Sequence, residues 1–310
     1  MSNFDTGFIK FLTLLLALGL MSGLAACEKT PARQFAEAKS QTIIGGENIS
    51  TNSKFTSRVI YLALGVEKKT TPSGFTIGQK AICTASALTS RILITAAHCV
   101  KDWQAENINA VLTLNPWNHP LNLDEWVQVE KIKIHESYVN KENQIENDLA
   151  LLRLSSELTP DRISQLADSG QVGPENLSVI SIGYGQTSAL KNMTDEKELG
   201  GSSSIQKQNS LLNYVMKNVE KFDPLSPVFQ IDQSDFKGLC HGDSGGPGYI
   251  YDESKQDFYI LGVTSFVSIF ESEKLQKDPN NIYNTCIGRG NYTNLLHYKE
   301  WITQSLVELK

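Results

Sequence analysis

The sequence predicts an all-β fold, a barrel or a sandwich, on three observations. Short apolar runs recur along most of its 310 residues, each bounded by turn-forming residues. Little between them has a helical period. The one sustained helical pattern comes last, at Leu295–Leu309, where Leu295, Trp301, Ile302, Leu306 and Leu309 fall on one face. Many short strands closed by one helix suit a barrel or sandwich rather than alternating strand and helix layers.

Taken in order, the folded part is expected to open at Ile43-Ile44-Gly45-Gly46. Val59–Leu64, Ala81–Leu88, Ile92–Ala97 and Val111–Leu114 are apolar runs that predict strands. Trp126–Ile134 alternates, but Val127 and Val129 fall on one parity and Ile132 and Ile134 on the other, which calls for a bulge or bend between them. Leu149–Leu154 and Val179–Ile182 predict buried strands, while Leu211–Val219 fits strand or helix. Phe229–Ile231, Phe258–Phe266 and Asn291–Asn294 complete the set. Asp161–Asn176, Lys191–Gln208 and Ser268–Asn284 are polar enough for surface loops.

The N-terminus has a different composition. Lys10, the apolar run Phe11–Leu20 and the small residues before Cys27 have the shape of a signal peptide, and the run is short for a membrane span. Residues 28–42 are polar, contain Pro31 and show no apolar period, as expected of a tether or propeptide. The expected division is therefore a leader at 1–26, a tether at 27–42 and a folded domain at 43–310. Leu24-Ala25-Ala26-Cys27 resembles the lipobox of bacterial lipoproteins, which implies a lipid on Cys27. An ordinary signal peptide cut near Ala26 is the alternative. The count of five cysteines is odd, and a lipidated Cys27 leaves Cys83, Cys99, Cys240 and Cys286 for two pairs. Export to a periplasmic or extracellular space follows, with the membrane touched only through that lipid. A net charge of −6 with no basic run argues against a nucleic-acid partner.

Three stretches carry chemistry. Ser244 sits in Gly242-Asp243-Ser244-Gly245-Gly246-Pro247, where glycines let backbone N–H groups approach a ligand. A serine hydroxyl becomes a strong nucleophile only with a base in reach. Thr95-Ala96-Ala97-His98-Cys99 offers that base, and Asn147-Asp148-Leu149-Ala150-Leu151-Leu152 offers a carboxylate to orient it. Taken singly, each of these residues is as easily a structural or solvated group. No His/Cys/Asp cluster has zinc spacing. His135 falls at a strand end in a structural role, His119 and His297 at the surface, and His241 beside the glycine turn.

From about Ile43 to the C-terminal helix, these motifs in the order His, Asp, Ser resemble the trypsin-like serine proteases of the chymotrypsin fold. The resemblance implies two six-stranded antiparallel β-barrels with a C-terminal α-helix, a monomer, protein or peptide substrates and no cofactor. It implies that Ser244 attacks the peptide carbonyl, His98 moves the proton, Asp148 orients His98, and the N–H groups of Gly242 and Ser244 bind the oxyanion. Cys83–Cys99 and Cys240–Cys286 resemble the family's bridges at the histidine and nucleophile loops. Ile43 resembles the new terminus made on zymogen activation, whose ammonium pairs with the residue here at Asp243. Thr42 precedes it where many relatives have Lys or Arg, so the activating protease would not be trypsin-like. No calcium ligands are assigned within Trp103–Trp126, where some relatives hold that ion.

The resemblance also places a specificity pocket. Its floor falls at Gly238, next to Leu239, and Asp235 and Asp232 are out of register with it. Its walls fall at Ser265-Phe266-Val267 and at Gly290. Val267 and Leu239 imply an elastase-like pocket for small aliphatic P1 residues, while Arg289 keeps an acidic P1 as the lesser alternative. The competing function is a catalytically silent binding or regulatory protein on the same fold, with Ser268–Asn284 available to cover the cleft.

Overall fold

The computed structural model describes residues 43, 46–49, 53–71, 74–112, 123–141, 144–173, 177–185, 190–192, 212–269, 282–284 and 286–310. The leader and tether read from the sequence, Cys27 and His119 lie outside them.

The first sheet closes on itself. Its strands run in the order Ala150–Leu154, Ile92–Thr95, Ala81–Ala87, Val59–Leu64, Ile108–Val111 and Trp126–Ile134, and the last pairs with the first. Every side chain of Val59–Leu64 is buried, which explains why this strand reads as an unbroken apolar run. The bulge expected in Trp126–Ile134 falls at Glu130. Arg153 pairs with Lys131 and Leu154 with Val129, so one residue is passed over and the exposed parity changes there. Of the strand expected at Val111–Leu114, Val111 closes the strand Ile108–Val111, Leu112 lies beyond it, and residues 113 and 114 are outside the described residues. Asn109, half-buried between Ile108 and Ala110, breaks the apolar run and hides the strand's true start.

The second sheet has six principal strands: Ser178–Gly183, Asn213–Asn218, Val228–Asp232, Pro247–Asp252, Asp257–Ile269 and Gly288–Asn294. Glu47–Asn48 adds to one edge beside Asn213–Tyr214, and Gln165–Leu166 pairs in parallel with Tyr259–Ile260. The sheet's two ends approach through the bridge Val219–Ile231, so it forms a half-barrel rather than a fully laddered one. Leu211–Val219, ambiguous by pattern, is strand over Asn213–Asn218. Phe229 and Tyr292 stack in its interior with ring centres 4.8 Å apart.

Four features differ from the expectation. Pro247–Asp252 is a central strand although Pro247 and Gly248 suggest a turn. Glu67–Thr71 and Gly74–Gly78 form a hairpin in which only Phe75 and Ile77 are apolar, too short an alternation to signal a strand. The polar stretches are not all loop: Gln165–Leu166 lies inside one, and Leu190–Asn192 pairs with Ile282–Asn284 across the other two. The terminal helix spans Lys299–Glu308 and starts later than the period suggests. Leu295 and Tyr298 are buried ahead of it, because Asn294 fixes the chain there by donating to the carbonyls of Asp223 and Ser226.

Both disulfides implied by the resemblance are present. Cys83–Cys99 spans 16 residues with Cα atoms 6.2 Å apart, and Cys240–Cys286 spans 46 with 5.2 Å. Closing loops of these lengths stabilises by about 3 and about 4 kcal/mol in the chain-entropy account. The paired substitution Cys83→Ala with Cys99→Ala is therefore expected to lower unfolding stability by about 3 kcal/mol, read as a shift in the urea midpoint by circular dichroism.

Candidate active site

His98 is delivered by the first barrel. The strand Ile92–Thr95 leads into the one-turn helix Ala97–Val100, whose Ala97, Cys99 and Val100 are buried. Burying those neighbours and tethering Cys99 to Cys83 leaves His98 facing outward, with its side chain 24% exposed. Asp148 precedes the neighbouring strand Ala150–Leu154. Asn147 before it has φ 52°, a left-handed turn that Asn tolerates better than most residues. That turn is pinned on both sides: Asn147 donates to the carbonyl of Ser137 at 2.7 Å and accepts from the Tyr298 hydroxyl at 2.9 Å.

The Asp148 carboxylate is only 2% exposed and is surrounded by donors. Oδ1 accepts from the His98 backbone N–H at 2.9 Å, and Oδ2 lies 2.8 Å from His98 Nδ1. The Ser265 hydroxyl also donates to Oδ2, and Thr293 donates to the Asp148 carbonyl at 2.9 Å. Burial alone would push this carboxyl up. The charge of His98, its two hydrogen bonds and that of Ser265 outweigh burial and hold it below the usual aspartate range. In the neutral form of the ring, with Nδ1 against a carboxylate, the proton belongs on Nδ1 and the lone pair falls on Nε2. The tautomer follows from this network.

The second sheet brings the Ser244 turn against the same place. Thr84 donates its N–H to the Ser244 carbonyl at 2.8 Å and its hydroxyl to the Gly242 carbonyl at 2.8 Å. Gly245 has φ 80°, and a Cβ there would fall 2.0 Å from Thr95 Oγ1 and 3.1 Å from the Ala96 nitrogen. Only glycine lets the turn lie this close to the segment that carries His98. Ser244 and His98 thus come from adjoining segments. Among the described residues no hydrogen bond joins Nε2 to the Ser244 hydroxyl, and Cys99 Sγ lies 3.8 Å from Nε2. Such a bond is often long before substrate arrives.

Gly242 and Ser244 flank Asp243. The Asp243 N–H donates to the Cys240 carbonyl at 3.1 Å, whereas among the described residues no hydrogen bond engages the N–H of Gly242 or Ser244. Gly242 reaches this geometry with φ 98°. The Asp243 side chain points the other way, into the protein. It accepts from the N–H of Gly185 at 2.8 Å and of Cys240 at 2.9 Å. Burial pushes its carboxyl up to about 7, against the lowering effect of those two N–H groups. Ile43 is fully buried, and in the intact chain its nitrogen is an uncharged amide.

The residues assigned to the pocket are arranged less simply. Leu239 is buried, Phe266 and Val267 are half-buried, and Ser265 turns its hydroxyl to Asp148 instead of the wall. Gly238 and Gly290 face the side chain of Gln233, which sequence reasoning missed because a lone glutamine after a strand carries no signal. Thr84, Thr95 and Thr293 were missed for the same reason. Arg289 pairs with Glu220 at 2.9 Å on the surface, which weakens the case for an acidic P1. His241 is exposed, and His297 is exposed with Nδ1 2.7 Å from the Leu225 carbonyl. His135 packs between Tyr298 and Trp301. The two groupings of histidine with cysteine, Cys83–His98–Cys99 and Cys240–His241–Cys286, contain disulfide sulfurs and so offer no thiolate.

Comparison with known proteins bears on the fold and the family. A solved structure of HL collagenase superposes with a TM-score of 0.58 at 20% identity, over 85% of this chain and 98% of that one, a likeness of fold. Hypodermin-A of Hypoderma lineatum is 34% identical over 106 residues, 34% of this chain and 40% of its own. Trypsin beta of Drosophila erecta is 28% identical over 174 residues, 53% and 62% of the two chains. Transmembrane protease serine 11G of Mus musculus is 26% identical over 231 residues, 71% and 48%. The chain spans about half the length of the curated relatives it matches. These relatives are animal proteins and lend nothing to the bacterial lipoprotein reading of Cys27. The family model described as Trypsin matches residues 64–302, and the chain belongs to that family.

Proposed function

We propose that the chain is a serine endopeptidase that works through Ser244, His98 and Asp148. The observation that carries this reading is the pair of hydrogen bonds, 2.9 and 2.8 Å, that fix His98 on the buried Asp148 carboxylate. His98 Nε2 takes the Ser244 proton as the hydroxyl adds to the scissile carbonyl, then gives it to the leaving amine. Asp148 keeps the proton on Nδ1 and offsets the imidazolium charge. The N–H groups of Gly242 and Ser244 receive the oxyanion, where one such donor is worth about 3 kcal/mol. Water then attacks the acyl ester on Ser244 with His98 again as base. A small aliphatic P1 residue fits the pocket bounded by Leu239 and Val267. Labelling by a peptidyl phosphonate is expected on Ser244 and absent in Ser244→Ala. Asp148→Asn is expected to lower kcat by about 10⁴-fold, because the wrong tautomer places the lone pair on Nδ1. A chain that binds peptides yet is never labelled would favour the silent-protein alternative.

Activation is proposed to follow a cut between Thr42 and Ile43, which turns the Ile43 nitrogen into an ammonium able to pair with Asp243. The intact chain then carries a buried acid with a raised pKa. A raised folded-state value favours folding below the unfolded pKa of about 4 and loses that benefit as pH rises through about 7. The intact Ser244→Ala chain is therefore expected to lose up to about 4 kcal/mol of stability between pH 4 and pH 8 through this group. The form starting at Ile43 is expected to show a smaller loss. Thermal melting across that range compares the two.

Export and a lipid on Cys27 are proposed from the leader's residues alone. Because Cys27 precedes the cut, activation would release the enzyme from the membrane. Labelled fatty acid is expected on the uncut protein, absent from Cys27→Ala, and absent from the form starting at Ile43.

A further inference from the structure

Gln233 stands just beyond the strand Val228–Asp232, and its backbone N–H donates to the Gly288 carbonyl at 2.9 Å. It is 1% exposed. Its carboxamide is nearly saturated. Nε2 donates to the carbonyls of Leu239 at 3.1 Å and Cys286 at 2.8 Å, and Oε1 accepts from the Leu239 N–H at 2.9 Å. Both amide hydrogens are engaged, and one acceptor lone pair remains. The side chain thus ties the segment before the nucleophile turn to the segment opposite it.

Its position gives those bonds a second meaning. A Cβ on Gly238 would fall 2.3 Å from Gln233 Cδ, and one on Gly290 would fall 2.2 Å from Gln233 Oε1 and 3.0 Å from Leu239 Cδ1. These two glycines are the residues assigned to the floor and wall of the specificity pocket. Bare glycines at both places would suggest a deep, open pocket. Instead the directions in which their side chains would project are occupied by one glutamine. Two glycines and one buried glutamine are therefore a single packing solution, and replacing either glycine would expel the amide.

We propose that Gln233 is the specificity-determining residue of this site, a neutral plug at the pocket base that limits P1 to short, uncharged side chains. This rests on the endopeptidase reading and deepens it. The plug carries no charge to meet a Lys or Arg side chain. Its hydrogens are engaged by Leu239 and Cys286, so none is left for an Asp or Glu side chain. Its volume stops Phe or Leu from extending between Gly238 and Gly290. Hydrophobic pockets separate homologues by roughly tenfold to a few hundredfold, the range within which the effect should fall.

The test uses the processed full-length protein and peptide anilides with Ala, Val, Leu, Phe, Lys or Glu at P1 and identical P2–P4 residues. Active sites are counted by phosphonate titration. In the wild type, Ala and Val are expected to exceed Phe, Lys and Glu by about tenfold or more in kcat/KM. In Gln233→Ala the Phe-to-Ala ratio is expected to rise by about tenfold or more. In Gln233→Met, which fills the space without the hydrogen bonds, the ratio is expected to stay close to wild type. An unchanged ratio in a Gln233→Ala protein that still titrates overturns the proposal, as does an equal rise in the Met variant. If neither variant folds, the wild-type panel decides, and faster cleavage after Phe, Lys or Glu than after Ala overturns it. A wild-type protein that never titrates defeats the endopeptidase reading itself, a result distinct from all of these.

Discussion

A negative charge held away from water organises this molecule. The Asp148 carboxylate takes donors from both sheets: His98 on the first barrel supplies two, and Ser265 on the second supplies another. Leaving a buried carboxylate without such partners is costly, so the two sheets are obliged to meet here in one relative position. The same bonds set the ring orientation of His98. Holding the sheets together and aiming the imidazole are therefore one interaction, and a change that weakened the first would blunt the second.

The fit of the Ser244 turn depends on that meeting. Its carbonyls at Gly242 and Ser244 are tied to Thr84, a strand residue of the opposite sheet. Its glycine at 245 is pressed against Thr95 and Ala96. The disulfide Cys83–Cys99 then connects the residue beside Thr84 to the residue beside His98. Short covalent and hydrogen-bonded links between neighbouring positions restrict the site more tightly than any single long-range contact. This is the rigidity that positioned acid–base chemistry needs, since a displacement near 1 Å can cost about 10²-fold in rate.

Much of this was legible in the residues. The short apolar runs fixed the strands wherever side chains are buried on both faces, as at Val59–Leu64 and Leu151–Leu152, and the parity change in Trp126–Ile134 located its bulge. Reading failed where burial and polarity part company. Asn109 is a polar letter inside a strand, Pro247 and Gly248 are turn letters in a sheet's centre, and Leu295 is buried by a turn, not a helix. At the site, the local motifs singled out His98, Asp148 and Ser244, because the chemistry proposed for them needs particular neighbours. Gln233, Thr84 and Thr293 were invisible because their roles come from partners distant in the chain. Ser265, expected at a pocket wall, also gives its hydroxyl to the Asp148 carboxylate, a partner that no local motif announces.

The hydrogen bond from Tyr298 to Asn147 joins the stretch leading into the last helix to the residue beside Asp148. Translation runs from N- to C-terminus, so His98 and Asp148 leave the ribosome long before this tyrosine does. The pocket around the carboxylate also waits for Ser265 and Thr293, which are made late. A nascent chain therefore carries His98 and Asp148 without the surroundings that orient them, and that arrangement can assemble only after the segment bearing Tyr298 has been made.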